Sequence, residues 1–200
     1  MRRSVDRLEF QILLWMARRR GIDWVVRYLR NPNPRFTVRL LQAFGATIGP
    51  RTKIKRAVMI DNAFEDKDSA GDFSHLKIGE NCYIGDGVYF DLAARVELES
   101  DVVVAGRVSF VTHADCNRSA DLAKYFPRVC EPVKIEHGAW IGFGATVLAG
   151  VTVGARSVVA AHCLLKDDAE PRSIYAGVPG RLKRRIDLQK DVAASSAIGG

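Results

Sequence analysis

Branched apolar residues return at every sixth position over long stretches of this chain. The longest run is Ile135, Ile141, Val147, Val153, Val159 and Leu165. An earlier run is Ile78, Ile84, Phe90, Val96, Val102 and Val108, and a short series, Ile48, Ile54 and Ile60, precedes both. A period of six matches neither the 3.6-residue spacing of a helix face nor the two-residue alternation of a half-buried strand. Fifteen in-phase positions in three blocks argue against a chance clustering of Val and Ile in ordinary strands. A second rule operates inside each hexad. Four residues after the apolar position comes a small one: Cys82, Val88 and Ala94 in the earlier block, and Ala139, Ala145, Val151, Ser157 and Cys163 in the later one. The position directly after the apolar residue is often Gly or acidic, as at Gly79, Gly85, Asp91, Glu97, Glu136, Gly142 and Gly154.

A fixed short period of this kind predicts a stacked coil, each hexad being a short strand plus a corner. The branched residue points inward onto its copies above and below, and the small residue fits where the interior narrows. Gly, Asp or Asn at the corners tolerates the backbone angles of a tight turn. Two interruptions break the hexads, at about 62–76 and 111–132. Before the coil, the chain reads as helical over residues 1–45. Val5, Leu8, Ile12 and Trp15 are spaced as one helix face, ended by Gly21. Asp23 is placed to cap a second helix from Trp24 to Leu29, and Phe36, Leu40 and Phe44 mark a third. The coil then spans 46–186, and residues 187–200 form a short tail expected to lack order.

These residues resemble a known family. The stretch IEHGAWIGFGATV (135–147) and the general pattern [Ile/Val/Leu]-[Gly/Ala/Glu/Asp]-x-x-[small]-x are similar to the hexapeptide-repeat acyltransferases, among them the maltose and galactoside O-acetyltransferases, the serine acetyltransferases and exopolysaccharide sugar acetyltransferases. The resemblance runs from about Ile48 to Ile186. It implies an all-β fold, a left-handed parallel β-helix with three hexads per coil, here preceded by an α-helical segment. It also implies a homotrimer with active sites between subunits, acetyl-CoA as acyl donor, a sugar acceptor and no metal.

The family's motifs carry over to particular positions. The second interruption begins VTHADCN (111–117), and His113 matches the histidine at which the family's chain leaves the coil. A neutral imidazole can remove a hydroxyl proton while the oxygen attacks a thioester, with backbone amides stabilising the oxyanion. The family often continues His-Asp-His, whereas this chain has Asp115 and no second His. Asp91, after Phe90, matches a step that contacts the acceptor, and Asp115 is a further acceptor-side candidate. On the donor side the resemblance implies pantetheine contacts at Phe143 and Ala161 and phosphate contacts at Lys166, Arg181 and Arg184, residue types suited to phosphate. The family usually reads Thr-Lys-Asp where this chain reads Lys166-Asp167-Asp168. The γ-class carbonic anhydrases share the coil but bind zinc through three His, two of them five apart. No two of the four His here have that spacing.

Charge and composition narrow the picture. The net charge of +7 sits at the ends: residues 1–30 hold eight Arg against Asp6, Glu9 and Asp23, and residues 181–190 hold five basic residues against Asp187. The middle is near neutral, which reads against a nucleic-acid-binding core. Four Cys without a framework or zinc spacing suggest a reducing, cytoplasmic setting. No apolar run reaches membrane-spanning length, and Glu9 and Gln11 interrupt the apolar start, against a signal peptide. The arginine-rich stripe of residues 1–30 leaves two readings open, peripheral contact with a membrane or packing on the coil or a neighbouring subunit. The function these features favour is acetyl-CoA-dependent O-acetylation of a sugar in polysaccharide or glycolipid assembly. The alternatives are N-acylation of an amino sugar and a non-catalytic coil used for assembly.

Overall fold

A computed structural model describes residues 2–116 and 118–187. The expected tail lies outside these residues except for Asp187. The hexads fold as a parallel coil with three flat faces. The first face stacks Thr47–Ile48, Leu76–Ile78, Val96–Leu98, Val133–Ile135 and Thr152–Val153. The second stacks Lys53–Ile54, Tyr83–Ile84, Val103–Val104, Trp140–Ile141, Val158–Val159 and Ser173–Ala176. Arg181–Arg185 closes it as an antiparallel strand. The third stacks Met59–Asp61, Tyr89–Asp91, Ser109–Phe110, Thr146–Val147 and Leu164–Leu165. Strands this short form because each inward side chain is covered by its copies in the next coil. Ile84, Val104 and Ile141 are 0% exposed, and the Phe90 and Phe110 rings stack at 5.4 Å.

The register differs from the hexad count at one place. Leu98, Val104 and Phe110 pair with Ile78, Ile84 and Phe90, so they, rather than Val96, Val102 and Val108, occupy the stacked slot. The reason is a two-residue excursion after Asp91. Ile135 to Val153 takes the eighteen residues of three hexads, whereas Ile78 to Leu98 takes twenty. Ile48 to Ile78 takes thirty and Leu98 to Ile135 thirty-seven. Val102 drops into the narrow slot, in line with Cys82 and Ala139, and stays buried.

The corners turn tightly through positive φ, as Gly150 does where the third edge is uninterrupted. Asn81, Asp101, Gly138 and Arg156 do so on one edge, and Gly87, Arg107, Gly144 and His162 on another. The glycines directly after the stacked residue have a different use from the one their sequence position suggests. A Cβ on Gly85 would lie 2.5 Å from the Gly106 nitrogen, and one on Gly142 would lie 2.5 Å from the Ala161 nitrogen. They are needed because successive coils approach backbone to backbone. Every excursion leaves from the third edge, between the third face and the next first face: residues 62–75, 92–95 and 111–132.

Three helices lead into the first coil: α1 (Arg2–Arg20), α2 (Ile22–Leu29) and α3 (Thr37–Ala43). α2 begins at Gly21, φ 82°, with no side-chain cap; Asp23 lies inside its first turn and pairs with Arg27. α1 is apolar on two sides. Phe10, Leu13 and Ala17 are buried, while Val5, Leu8, Ile12 and Trp15, the stripe that the spacing picks out, face outward.

Candidate functional site

The site is built where the chain leaves the third face. Because Phe90 pairs with Phe110, Asp91 lies one coil below the exit segment that carries Thr112 and His113. Asp91 is fully buried, and its carboxylate collects five donors. Oδ2 accepts from the backbone N–H of Thr112 at 2.8 Å, the N–H of His113 at 3.0 Å and the His113 Nδ1–H at 2.6 Å. Oδ1 accepts from Asn62 Nδ2 at 2.9 Å and from the Ala93 N–H at 3.2 Å. The Thr112 hydroxyl donates to the Asp91 carbonyl at 3.0 Å and accepts from the Ala94 N–H at 3.0 Å. All three third-edge excursions therefore meet at one acid. Burial pushes the Asp91 pKa up, but the bonds from His113, Asn62, Thr112 and Ala93 outweigh it and hold the carboxyl below its usual range.

An ionised carboxylate only accepts, so Nδ1 of His113 carries a proton, and the neutral ring is thereby held in the tautomer with its lone pair on Nε2. The His113 side chain is 25% exposed, and its Nδ1 edge is fastened to Asp91. His113–Ala114 pairs antiparallel with Val129–Cys130, which closes the long excursion as a hairpin. Cys130 is the register partner of His113, but burial pushes its thiol up, so it stays protonated and is not an activated nucleophile.

The remaining acceptor-side candidate, Asp115, is tied to Arg128 at 2.6 Å. The same guanidinium reaches Asp66 at 2.6 Å and Asp68 at 3.0 Å, and its side chain is 12% exposed. Arg128 thus clamps the 111–132 excursion to the 62–75 excursion. Asn62 and Arg128 were not singled out by sequence. Asp91 lies 29 positions from Asn62, and Asp66 and Asp68 lie 62 and 60 positions from Arg128, so only the coil register brings these groups together; Asp115 is 13 positions from Arg128. Cavities of about 480 Å³ and 490 Å³ flank the hairpin. Tyr125, Phe126 and Pro127 help line one, and His75, Arg95 and Cys130 the other.

The donor-side candidates lie elsewhere. Phe143 and Ala161 are exposed at successive coils of the edge between the second and third faces; the Phe143 ring meets His162 at 5.6 Å, with the Arg107 guanidinium 5.7 Å above it. That edge is separated from the His113 edge by the third face, roughly 15 Å of extended chain. Lys166 shares the His113 edge two coils further on and pairs with Asp167 at 3.0 Å, and Arg181 reaches the same carboxylate at 3.8 Å. Arg184 lies on the exposed strand Arg181–Arg185. A single chain brings Asp91 and His113 together and leaves Phe143 and Ala161 apart from them. Among the described residues no group of His, Cys, Asp and Glu could hold a metal ion, and all four Cys are free thiols.

Residues 132–167 match the family of bacterial transferase hexapeptide repeats (six repeats). The chain is 30% identical over 114 residues to a galactoside O-acetyltransferase of Lactococcus lactis, covering 54% of this chain and 55% of that one. It is 28% identical over 119 residues to the galactoside O-acetyltransferase of Escherichia coli, covering 57% and 56%. Over its coil the chain is similar to the hexapeptide-repeat acyltransferases. It spans little more than half the length of these curated relatives. Solved members of the hexapeptide-repeat acyltransferases have the same left-handed parallel β-helix. A Vibrio cholerae hexapeptide-repeat acetyltransferase complexed with acetyl-CoA superposes with a TM-score of 0.68 at 22% identity, covering 82% of this chain and 85% of that one. A maltose O-acetyltransferase from Clostridium difficile gives 0.65 at 22% identity, covering 82% and 84%. At that identity these structures establish the shared fold.

Proposed function

We propose that this protein is an acetyl-CoA-dependent O-acetyltransferase acting on a sugar hydroxyl, with His113 as its general base. The observation that carries the reading is the dyad: a partly exposed imidazole whose Nδ1 is fastened 2.6 Å from a buried, ionised Asp91. A buried acid that fixes the tautomer of a partly exposed imidazole is the arrangement a general base requires. The similarity to galactoside O-acetyltransferases supports a sugar acceptor, and polysaccharide or glycolipid assembly is the setting it favours.

In this reading Nε2 takes the acceptor hydroxyl proton as the oxygen forms a bond to the thioester carbonyl carbon. The imidazolium so formed faces the ionised Asp91, which stabilises it in water-poor surroundings. The C–S bond then breaks, and the imidazolium returns its proton to the departing sulfur, leaving an acetyl ester and free coenzyme thiol. Asp91 acts through His113 as a positioning residue, since all five donors to its carboxylate come from the protein. The acceptor contacts proposed here fall to the cavities beside the hairpin. Phe143, Ala161, Lys166, Arg181 and Arg184 remain the proposed donor contacts, the cations meeting phosphate.

The separation of the two edges favours a homotrimer, in which the His113 edge of one copy meets the Phe143 edge of the next. The second face fits such packing. Its outer ladder Tyr83, Val103 and Trp140 is 38%, 41% and 52% exposed, whereas the first face presents Lys77, Glu97 and Lys134. The testing experiment is a free-thiol release assay with acetyl-CoA over a panel of sugars and amino sugars. Release that depends on a sugar hydroxyl supports the reading, release with amino sugars only makes it an N-acyltransferase, and no release with any acceptor favours an assembly module.

A further inference from the structure

The uncovered side of α1 holds a second surface that the dyad does not use. Val5, Leu8, Ile12 and Trp15 are 51%, 63%, 51% and 62% exposed, on the side opposite the buried Phe10, Leu13 and Ala17. Those three side chains pin the helix to the body, so the outer stripe is presented to its surroundings at a fixed orientation. From Val5 to Trp15 the stripe runs about 15 Å along the helix axis. Arg19 continues it, its guanidinium 5.5 Å from the Trp15 ring, and Arg20 lies 5.6 Å from the Trp24 ring. Trp15, Met16, Arg19 and Arg20 line a cleft of about 340 Å³ at its end.

Charge decides among occupants. Residues 1–30 carry eight Arg against three acids, and two of those acids are engaged, Asp6 by Arg35 and Asp23 by Arg27. A second copy packed stripe to stripe would bring together two helices that each carry six Arg against Asp6 and Glu9, a net positive charge on both that repels in either orientation. An anionic lipid surface matches both features, since it accepts the apolar side chains and pairs with the guanidinium groups. A tryptophan beside arginines also suits the boundary between headgroups and acyl chains. The helix is not long and apolar enough to cross a membrane, so it lies along the surface.

We propose that α1 docks the protein on an anionic membrane through Val5, Leu8, Ile12, Trp15 and the arginines at its C-terminal end. The full chain is expected to sediment with vesicles of mixed phosphatidylcholine and phosphatidylglycerol, to stay in solution with phosphatidylcholine alone, and to be released by high salt. Leu8→Glu/Ile12→Glu is expected to weaken binding roughly a hundredfold or more, and Leu8→Ser/Ile12→Ser, which leaves the charge unchanged, roughly tenfold. Circular dichroism and light scattering of both variants should match the parent. Absence of binding to the anionic vesicles overturns the proposal, as does binding that survives both double substitutions. A change of oligomeric state in the serine variant also overturns it, because the stripe would then be a contact between copies.

Discussion

Asp91→Asn removes one charge from the centre of the dyad and keeps the shape of the side chain. The amide has one oxygen, while the carboxylate positions it must fill accept from three donors on one side and two on the other. With its oxygen toward His113, the amide NH₂ confronts Asn62 Nδ2 and the Ala93 N–H. Turned around, it confronts both backbone N–H groups and forces the imidazole into the tautomer that cannot act as a base. The better orientation leaves two donors without a partner, a cost of roughly 2–5 kcal/mol. The charge that stabilises the imidazolium is gone in either case, and turnover is expected to fall about 10²–10³-fold with the KM for acetyl-CoA little changed. The stability loss has a pH signature. Hydrogen bonds hold the folded Asp91 carboxyl below the value of about 3.9 that it has when unfolded. Its contribution is therefore complete above about pH 5 and is lost as the pH falls through the folded value. Urea unfolding of parent and variant should differ by the full amount at neutral pH and converge in acid. Unchanged turnover in the variant, or a stability gap that persists undiminished at about pH 2, refutes the reasoning.

Other substitutions test the remaining parts. Ile141→Asp places an unpaired charge in a fully buried stack and is expected to cost more than about 4 kcal/mol in a urea titration; a soluble variant of parental stability would contradict the stacked coil. Trp140→Glu puts a charge on the apolar outer ladder of the second face and is expected to convert a trimer to monomers in light scattering, with activity lost alongside because the two edges separate. Arg181→Ala and Arg184→Ala are each expected to weaken acetyl-CoA binding several-fold in calorimetry while leaving turnover at saturating donor nearly intact.

The coil was legible because the six-residue period is imposed by stacking, which tolerates few exceptions over so many turns. Its register was less so. Val96, Val102 and Val108 continue the count from Phe90 and are as apolar as Leu98, Val104 and Phe110, so nothing in the pattern marks the two residues added after Asp91. That slip also hides the dyad. In the uncorrected count Asp91 lies beside Ser109, whereas in the structure it lies beside the exit that carries Thr112 and His113. His113 itself was legible from the break in the hexads. The sequence places Asp91 as an acceptor contact, because burial by the excursions is not written in its own hexad. For α1 the spacing identified a true helix face and not its surroundings. Two apolar stripes share that helix, and only packing against the body separates Phe10, Leu13 and Ala17 from Val5, Leu8, Ile12 and Trp15.

The account turns on His113 as the base of an acetyl transfer, and His113→Ala addresses that directly. Loss of the ring removes one of the five donors to buried Asp91, so thermal stability is expected to fall by about 1.5–3 kcal/mol, while acetyl-CoA binding should stay close to that of the parent. Release of coenzyme thiol with a sugar acceptor that the parent acetylates should drop about 10²–10⁴-fold, the usual contribution of a positioned base. Parental rates in His113→Ala, measured with that acceptor and with donor binding intact, would contradict the assignment.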